Sequence, residues 1–397
     1  MGLNDTPRAN QLHIGIFGKR NSGKSTLINA LTGHNTALVS DVAGTTTDPV
    51  YKTIEIVGIG PCVLIDTAGF DDSGYLGNMR VEKTKIAMEK ADIAIIVCSE
   101  EDIAQELLWA RDFKERRTPV VMVINKIDQI SNTDKIRNKI FDALKEEPIK
   151  ISAISKIGIE KIREEIIRKL PEDFDSRSIT GDLVKENDLV LLVMPQDIQA
   201  PKGRLILPQM QTLRELLDKK CIIISCTADK YEEALKSMGK PPKLIITDSQ
   251  VFQMVYDKKP KESLLTSFSV LFASNKGDID YFVKSAAVLD TLTEESKVLI
   301  AEACTHVPQT EDIGRVKIPA MLRKKVGEGI TIVNVSGNDF PKDLSGYDLV
   351  IQCGACMFNR KYVMNRLEQV KKQNVPMTNY GIVIAYLTNI LDKISIV

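Results

Sequence analysis

Gly18-Lys19-Arg20-Asn21-Ser22-Gly23-Lys24-Ser25 carries the spacing G-x-x-x-x-G-K-[ST], which suits one kind of chemistry, the cradling of phosphate. The glycines let backbone amides wrap the phosphate oxygens. Lys24 reaches the β- and γ-phosphates and Ser25 binds magnesium, with Asn21, Ser22, Gly23 and Thr26 lining the same turn. Asp66-Thr67-Ala68-Gly69 closes an apolar run; Asp66 can hold the magnesium shell and Gly69 can meet the γ-phosphate. Asn125-Lys126-Ile127-Asp128 closes another. There the Asp128 carboxylate can accept two N–H bonds from a guanine edge, a pattern adenine does not offer. Ser152-Ala153 follows a third run and can close over the base. Each tetrapeptide alone is weak, but in this order they specify a guanine nucleotide, GTP or GDP, with magnesium.

A second set is made of thiols. Of seven cysteines, Cys62, Cys98, Cys221 and Cys226 lie inside apolar runs and read as small core residues. Cys304-Thr305-His306 and Gln352-Cys353-Gly354-Ala355-Cys356 each follow such a run. Gly354 is expected to free the turn so that both thiolates point to one metal or cluster. A C-x-x-C pair by itself fits a redox dithiol, half a zinc site, part of an iron–sulfur site or buried small residues. Cys304 and His306 shift the balance to metal. Three thiols and an imidazole make a tetrahedral zinc set, and three thiolates on a cubane leave one iron with an exchangeable ligand. Ligand count does not separate these two.

Both sets need strand ends to hold them. His13–Phe17, Cys62–Asp66, Ile93–Cys98, Val120–Asn125 and Ile149–Ile151 read as buried strands alternating with helical patterns, the signature of a mostly parallel, doubly wound α/β sheet. The polar stretch 171–178 reads as a linker. A second βα series follows: strands Leu189–Met194, Cys221–Cys226 and Leu244–Thr247, with helices Pro208–Asp218 and Lys230–Met238. It ends in the charged run Asp257–Glu262 around Pro260. A third series opens at Phe268–Ala273 and continues with a helix near Asp278–Leu289. Strands Lys297–Cys304, Ile330–Val335 and Leu349–Gln352 and a helix near Asn359–Gln373 complete it. The expected organisation is therefore three α/β domains at 1–170, 179–262 and 263–397.

Composition limits the partners. The 397 residues include 53 basic and 53 acidic side chains and only 5 % aromatics, which disfavours a nucleic-acid partner. No apolar run reaches the ~18–20 residues of a membrane span, and Met1–Gln11 lacks a signal-peptide core. A cytoplasmic, reduced setting is expected.

The nucleotide motifs resemble the translation-factor-like GTPases, in the branch of the tRNA-modification GTPase MnmE and of Era, over Leu12–Leu170. Gly44-Thr45-Thr46-Thr47-Asp48 looks like that branch's switch I, and the match implies that Thr46, or else Thr45, completes the magnesium shell. Thr47 replaces a common Arg there. Gly69 is followed by Phe70, whose ring cannot orient a water, so slow intrinsic hydrolysis is expected. Asn21 matches the Asn that binds potassium in potassium-activated members; the competing reading is a loop residue that supports switch I.

The whole chain resembles the HydF family of FeFe-hydrogenase maturation GTPases. Glu302-Ala303-Cys304-Thr305-His306, Glu311 to Pro319 and Cys353-Gly354-Ala355-Cys356-Met357 carry the likeness. It implies that Cys304, Cys353 and Cys356 ligate a 4Fe–4S cluster. It also implies a scaffold that carries a di-iron precursor built with two radical-SAM maturases, HydE and HydG, and passes it to the hydrogenase apoprotein. A homodimer through the middle block is implied as well. Many members have His directly before the C-x-x-C, where this chain has Gln352. A Gln amide is a poor iron ligand, which leaves the fourth position to His306, to Glu302, Glu311 or Asp312, or to solvent. The other function classes are a zinc-binding, GTP-dependent metallochaperone and a GTPase acting on RNA or the ribosome.

Overall fold

The computed structural model describes residues 8–32, 50–67, 84–171, 174, 177–194, 205–303 and 312–397. The chain divides into two compact units, Met1–Ser176 and Arg177–Val397.

The first unit is built on β1 (Leu12–Phe17), β2 (Val50–Ile56), β3 (Gly60–Asp66), β4 (Ile93–Cys98), β5 (Val120–Ile124) and β6 (Ile149–Lys150), in the order β2-β3-β1-β4-β5-β6. All pairings are parallel except β2 with β3. Every residue of β1, β4 and β5 is buried, because helices cover both faces of the sheet. Ile14, Ile16, Ile95 and Val97 pack with Leu27, Ile28, Ile162 and Ile166 on one face. Phe17, Ile96 and Cys98 pack with Trp109, Phe113, Ile136 and Ile140 on the other. Each such aliphatic side chain contributes about 1.5–3 kcal/mol. The edge strand β2 is absent from the sequence reading. Its Val-Tyr-Lys-Thr-Ile-Glu-Ile run interleaves apolar with polar residues, and only Ile54 and Ile56 are buried.

The second unit holds two four-stranded sheets, both wholly parallel. The first comprises β7 (Leu189–Val193), β8 (Ile222–Cys226), β9 (Leu244–Thr247) and β10 (Leu264–Ser267), in the order β10-β9-β7-β8. The other comprises β11 (Lys297–Glu302), β12 (Thr331–Ser336), β13 (Leu349–Gln352) and β14 (Met377–Asn379), in the order β12-β11-β13-β14. One apolar core takes in Leu191 and Ile245 from the first and Leu299, Ile300 and Val350 from the second.

Two expectations need correction here. Phe268–Ala273 does not open the third series as a strand; it lies in the helix Phe268–Lys276. Ser267 caps that helix, its Oγ accepting from the Val270 amide at 3.2 Å. Phe268, Val270, Leu271, Phe272 and Ala273 are all buried, and burial all round removes the amphipathic period that marks a helix. The boundary at 262/263 also falls too early for the sheets. β10 begins at Leu264 and pairs with β9, so the charged run around Pro260 is a connection inside the middle sheet. The far end of the expected linker is pinned: Glu215 of the helix Leu207–Asp218 accepts from the amides of Ile179 and Thr180 and from the hydroxyls of Ser178 and Thr180. Burial pushes the Glu215 carboxyl up, but these donors outweigh it and hold it below its usual range.

Candidate functional site

β1 ends at Phe17 and the helix Lys24–Thr32 begins after one loop. Gly18 has φ of +155° and Gly23 of +91°, where an L side chain is strained. A Cβ on Gly23 would lie 2.3 Å from Asn125 Nδ2. That crowding comes from a bridge: Asn125 donates to the Ser22 carbonyl at 2.9 Å, and its Oδ1 accepts from the Ala153 amide at 3.0 Å. One buried side chain therefore ties three of the sequence motifs together. Sequence reasoning assigned Asn125 to the nucleotide and missed this tie, which the strand order makes possible by setting β5 next to β6 and one strand away from β1.

Lys24 is buried and its Nζ donates to the carbonyls of Gly18 and Lys19, each at 2.8 Å. The ammonium thus lies across the loop it is expected to serve. Ser25 Oγ donates to Asp66 Oδ2 at 3.1 Å. Burial raises the Asp66 carboxyl above its usual range, against the pull of Ser25 and Lys24; a cation at this point would relieve that penalty. Thr67 fixes the end of β3 through a 2.7 Å bond to the Ile16 carbonyl.

Asp128 is exposed, and the Ser152 hydroxyl, itself buried, holds its carboxyl below the usual range. Lys126 has φ of +60°, which turns the chain between Asn125 and Asp128. Thr26 is half-buried in the first helical turn, and Asn21 is exposed with φ of +57°. Thr46 and Gly69 lie outside the described residues, as do Thr45 and Phe70. Lys19 is a further participant that the motif hides. Its ammonium meets Glu100 at 2.7 Å and Asp102 at 3.2 Å, which clamps the phosphate loop to the turn after β4.

The thiol turn stands at the corresponding place in the last sheet. β11 and β13 are parallel neighbours, with Ala301 opposite Gln352. The Ala303 amide therefore reaches Cys353 Sγ at 3.0 Å. The Ala355 amide and Gln352 Nε2 approach the same sulfur at 3.4 and 3.5 Å. Cys304 and His306 lie outside the described residues; Cys304 follows Ala303 directly. Among the described residues no group of three metal-binding side chains occurs. Gly354 is not what opens the turn. The left-handed residue is Ala355, at φ +50°, while an added Cβ on Gly354 would meet nothing within 4 Å. The Ala355 methyl instead packs with Ala303, Phe358, Tyr362 and Val363.

Both polar atoms of the Gln352 amide are engaged. Its Oε1 accepts from Arg366 Nη1 at 3.0 Å, and its Nε2 donates to the Ala301 carbonyl at 3.0 Å. Glu302 is also committed: it pairs with Arg315 at 3.1 Å and accepts from Ser336 and Tyr380. Asp312 caps the following turn by accepting from the amides of Gly314 and Arg315, both at 2.9 Å. Two carboxylates named for the fourth ligand position thus serve other partners.

The turn rests on cations that the sequence reading did not single out. Lys276 ends the helix Phe268–Lys276 and its buried Nζ donates to the Phe358 carbonyl at 2.6 Å and the Ala355 carbonyl at 3.4 Å. Burial pushes its ammonium down to about 8, while Cys356 and Cys353 pull it back up. Arg366 is buried among the rings of Phe340, Phe358 and Tyr362, 4.6–4.8 Å from their centroids. Asn379 donates to the Cys353 carbonyl at 3.3 Å. Burial raises the Cys353 thiol, and the amides of Ala355 and Ala303 work against it. N–H groups aimed at one sulfur, beside a second thiol three residues on, suit a thiolate bound to iron.

Comparison with known proteins matches three parts of the chain to family models. Residues 280–396 match the hydrogen maturase F tetramerization domain, residues 179–277 the hydrogen maturase F dimerization domain, and residues 13–126 the 50S ribosome-binding GTPase family. GTPase Der of Lachnospira eligens is 29% identical over 239 residues, 57% of this chain and 50% of its own length. GTPase Der of Streptococcus pneumoniae is 34% identical over 180 residues, 43% and 39% of the two chains. The chain thus spans half or less of the length of these curated relatives. Among solved structures, a point variant of Aquifex aeolicus Era bound to GDP.AlF4- is 21% identical, covering 57% of this chain and 98% of its own, with a TM-score of 0.37. The G domain of the T. maritima FeoB iron transporter is 23% identical, covering 41% and 99%, with a TM-score of 0.32. The amino-terminal unit is a P-loop GTPase domain with a largely parallel sheet, followed by further α/β domains.

Proposed function

Because the chain belongs to the hydrogen maturase F family and joins that family's two domains to a GTPase domain, we propose that it is a GTP-hydrolysing scaffold of FeFe-hydrogenase maturation. It binds a 4Fe–4S cluster and delivers a di-iron precursor, made with HydE and HydG, to the hydrogenase apoprotein. The observation that carries this reading is the thiol turn. Cys353 and Cys356 sit at the end of β13 with amides directed at the Cys353 sulfur, inside a region matched to a HydF model.

At the nucleotide site, Lys24 leaves the Gly18 and Lys19 carbonyls to take the β- and γ-phosphates. Ser25 and Asp66 hold magnesium, with Thr46 completing its shell when GTP is bound and Gly69 sensing the γ-phosphate. Asp128 reads the guanine, while Asn125, Lys126, Ser152 and Ala153 shape its pocket. Asn21 would hold potassium, a cation that would offset charge developing on the phosphates, since Phe70 has no group to orient a water. Cys304, Cys353 and Cys356 hold the cluster, with His306 available to the fourth iron. That cluster supplies an iron site with an exchangeable position. The domain named for dimerization supports a homodimer through the middle block, and the last block adds the contact of a larger assembly.

The test is anaerobic purification and reconstitution with iron and sulfide, followed by metal analysis, electron paramagnetic resonance and GTPase assays in sodium and in potassium. A 4Fe–4S signal and faster hydrolysis in potassium are expected. A colourless protein with one tight zinc would replace this reading with a zinc metallochaperone. The GTPase-domain match to a ribosome-binding family gives the other alternative, which stimulation by ribosomes would favour.

A further inference from the structure

Lys276 and Arg366 are each only 3% exposed, and neither has a carboxylate partner among the described residues. The buried carboxylates of this region, Glu302 and Asp312, serve Arg315 and the amides of Gly314 and Arg315. Arg366 Nε has no acceptor among the described residues. Burying unpaired cations is costly, and an anion met at this point would relieve that cost. Both converge on one turn. The Lys276 ammonium binds the Ala355 and Phe358 carbonyls, which bracket Cys356. Arg366 reaches Cys353 through Gln352, whose Oε1 accepts from the guanidinium while its Nε2 approaches the sulfur. The groups in that turn able to become anionic are the two thiols.

We infer that Lys276 and Arg366 are the buried counter-charges of the thiolate centre, and that Lys276 sets how readily a cluster held there accepts an electron. The inference rests on the cluster-binding reading above. Three thiolates outweigh the charge of a cubane core, so the centre is anionic and becomes more so on reduction. A fixed ammonium beneath the turn favours the reduced state most. It also lowers the repulsion between thiolates as iron enters. A lysine that served only as a hydrogen-bond donor would be replaceable by a neutral donor.

The experiment compares the full chain with Lys276→Gln, which keeps donor atoms without charge, and Lys276→Arg, which keeps charge. Each is reconstituted anaerobically with iron and sulfide and titrated potentiometrically, reading the reduced cluster by electron paramagnetic resonance. Lys276→Gln should lower the reduced-to-oxidised ratio at fixed potential about tenfold, a shift of about 59 mV to more negative values, or fail to load although folded. Lys276→Arg should restore loading and most of the potential. An unchanged potential in Lys276→Gln overturns the inference, and so does failure of both folded variants to load. Loss of the apo fold in Lys276→Gln, read by circular dichroism, overturns it too, since the counter-charge of an absent group is not needed to fold the chain. If the unmodified chain takes up no cluster, the functional reading itself fails; if it does and Lys276→Gln matches it, only this inference fails.

Discussion

The phosphate loop and the thiol turn occupy equivalent places, each at the carboxyl end of a parallel strand inside its sheet, but they are held in different ways. In the first, motif residues hold one another: Asn125 bonds Ser22 and Ala153, Ser25 bonds Asp66, and Lys24 spans its own loop. In the second, the motif contributes little more than sulfur. Its support comes from Lys276, Arg366 and Asn379, which lie 77 residues before and 13 and 26 after Cys353 in the chain. A site that binds a pre-charged ligand from solution can be nearly self-contained. The thiol turn instead leans on buried cations and an amide from elsewhere in the fold.

The largest effects should come from changes that separate the two sites. Lys24→Ala should weaken GTP about 100-fold or more, since it removes a buried ammonium from charge-assisted contacts, and leave iron loading intact. Cys353→Ser should abolish loading and spare GTP. Nucleotide titration and iron content measured on both variants check this, and loss of both activities in either folded variant would mean the sites are not separable.

Asn125→Ala comes next. It removes two buried bonds, and should cost the first unit about 1–3 kcal/mol in chemical unfolding and weaken guanine nucleotides. If stability falls without any loss of affinity, the bridge is structural only, and the phosphate loop is less self-supporting than its contacts suggest. Gly314→Ala probes the surroundings of the thiol turn. The new Cβ would lie 1.9 Å from Tyr380 Oη and 2.6 Å from Glu302 Oε1, so a loss of about 1–3 kcal/mol is expected, visible as an earlier melt of the second unit.

The smallest effect concerns the anchored linker end. Glu215 has its folded pKa held below the unfolded value of 4.5, so its contribution is present above that pH and is lost as pH falls through the folded value. Glu215→Gln should cost roughly 1 kcal/mol at pH 7 and flatten the acid limb of a stability profile. An unchanged acid limb would remove Glu215 from the account.

This contrast also explains what was legible. The phosphate-loop motifs are contiguous and rest on strands whose apolar runs stand out, so β1, β3, β4 and β5 fall within two residues of their expected bounds. The helix Phe268–Lys276 was hidden by burial on every side, as was Tyr380–Leu387, almost all apolar. β2, β10 and β14 were not legible because their runs are short or mix apolar with polar residues, as in Leu264-Leu265-Thr266-Ser267 and Met377-Thr378-Asn379. Lys276 and Arg366 were invisible for a simpler reason: in a sequence, a cation inside a helix reads as solvated unless something marks its face as buried, and here only the tertiary fold does so.

The pairing of β11 with β13 has a consequence for the birth of the protein. Ala303 and Cys353 meet across 50 residues, and Asn379 closes on the Cys353 carbonyl from 26 residues further on. At roughly 5–20 residues per second of synthesis, the first strand of this centre waits several seconds for its partners. A nascent chain therefore has no finished thiol turn to offer until the segment through Asn379 has been made.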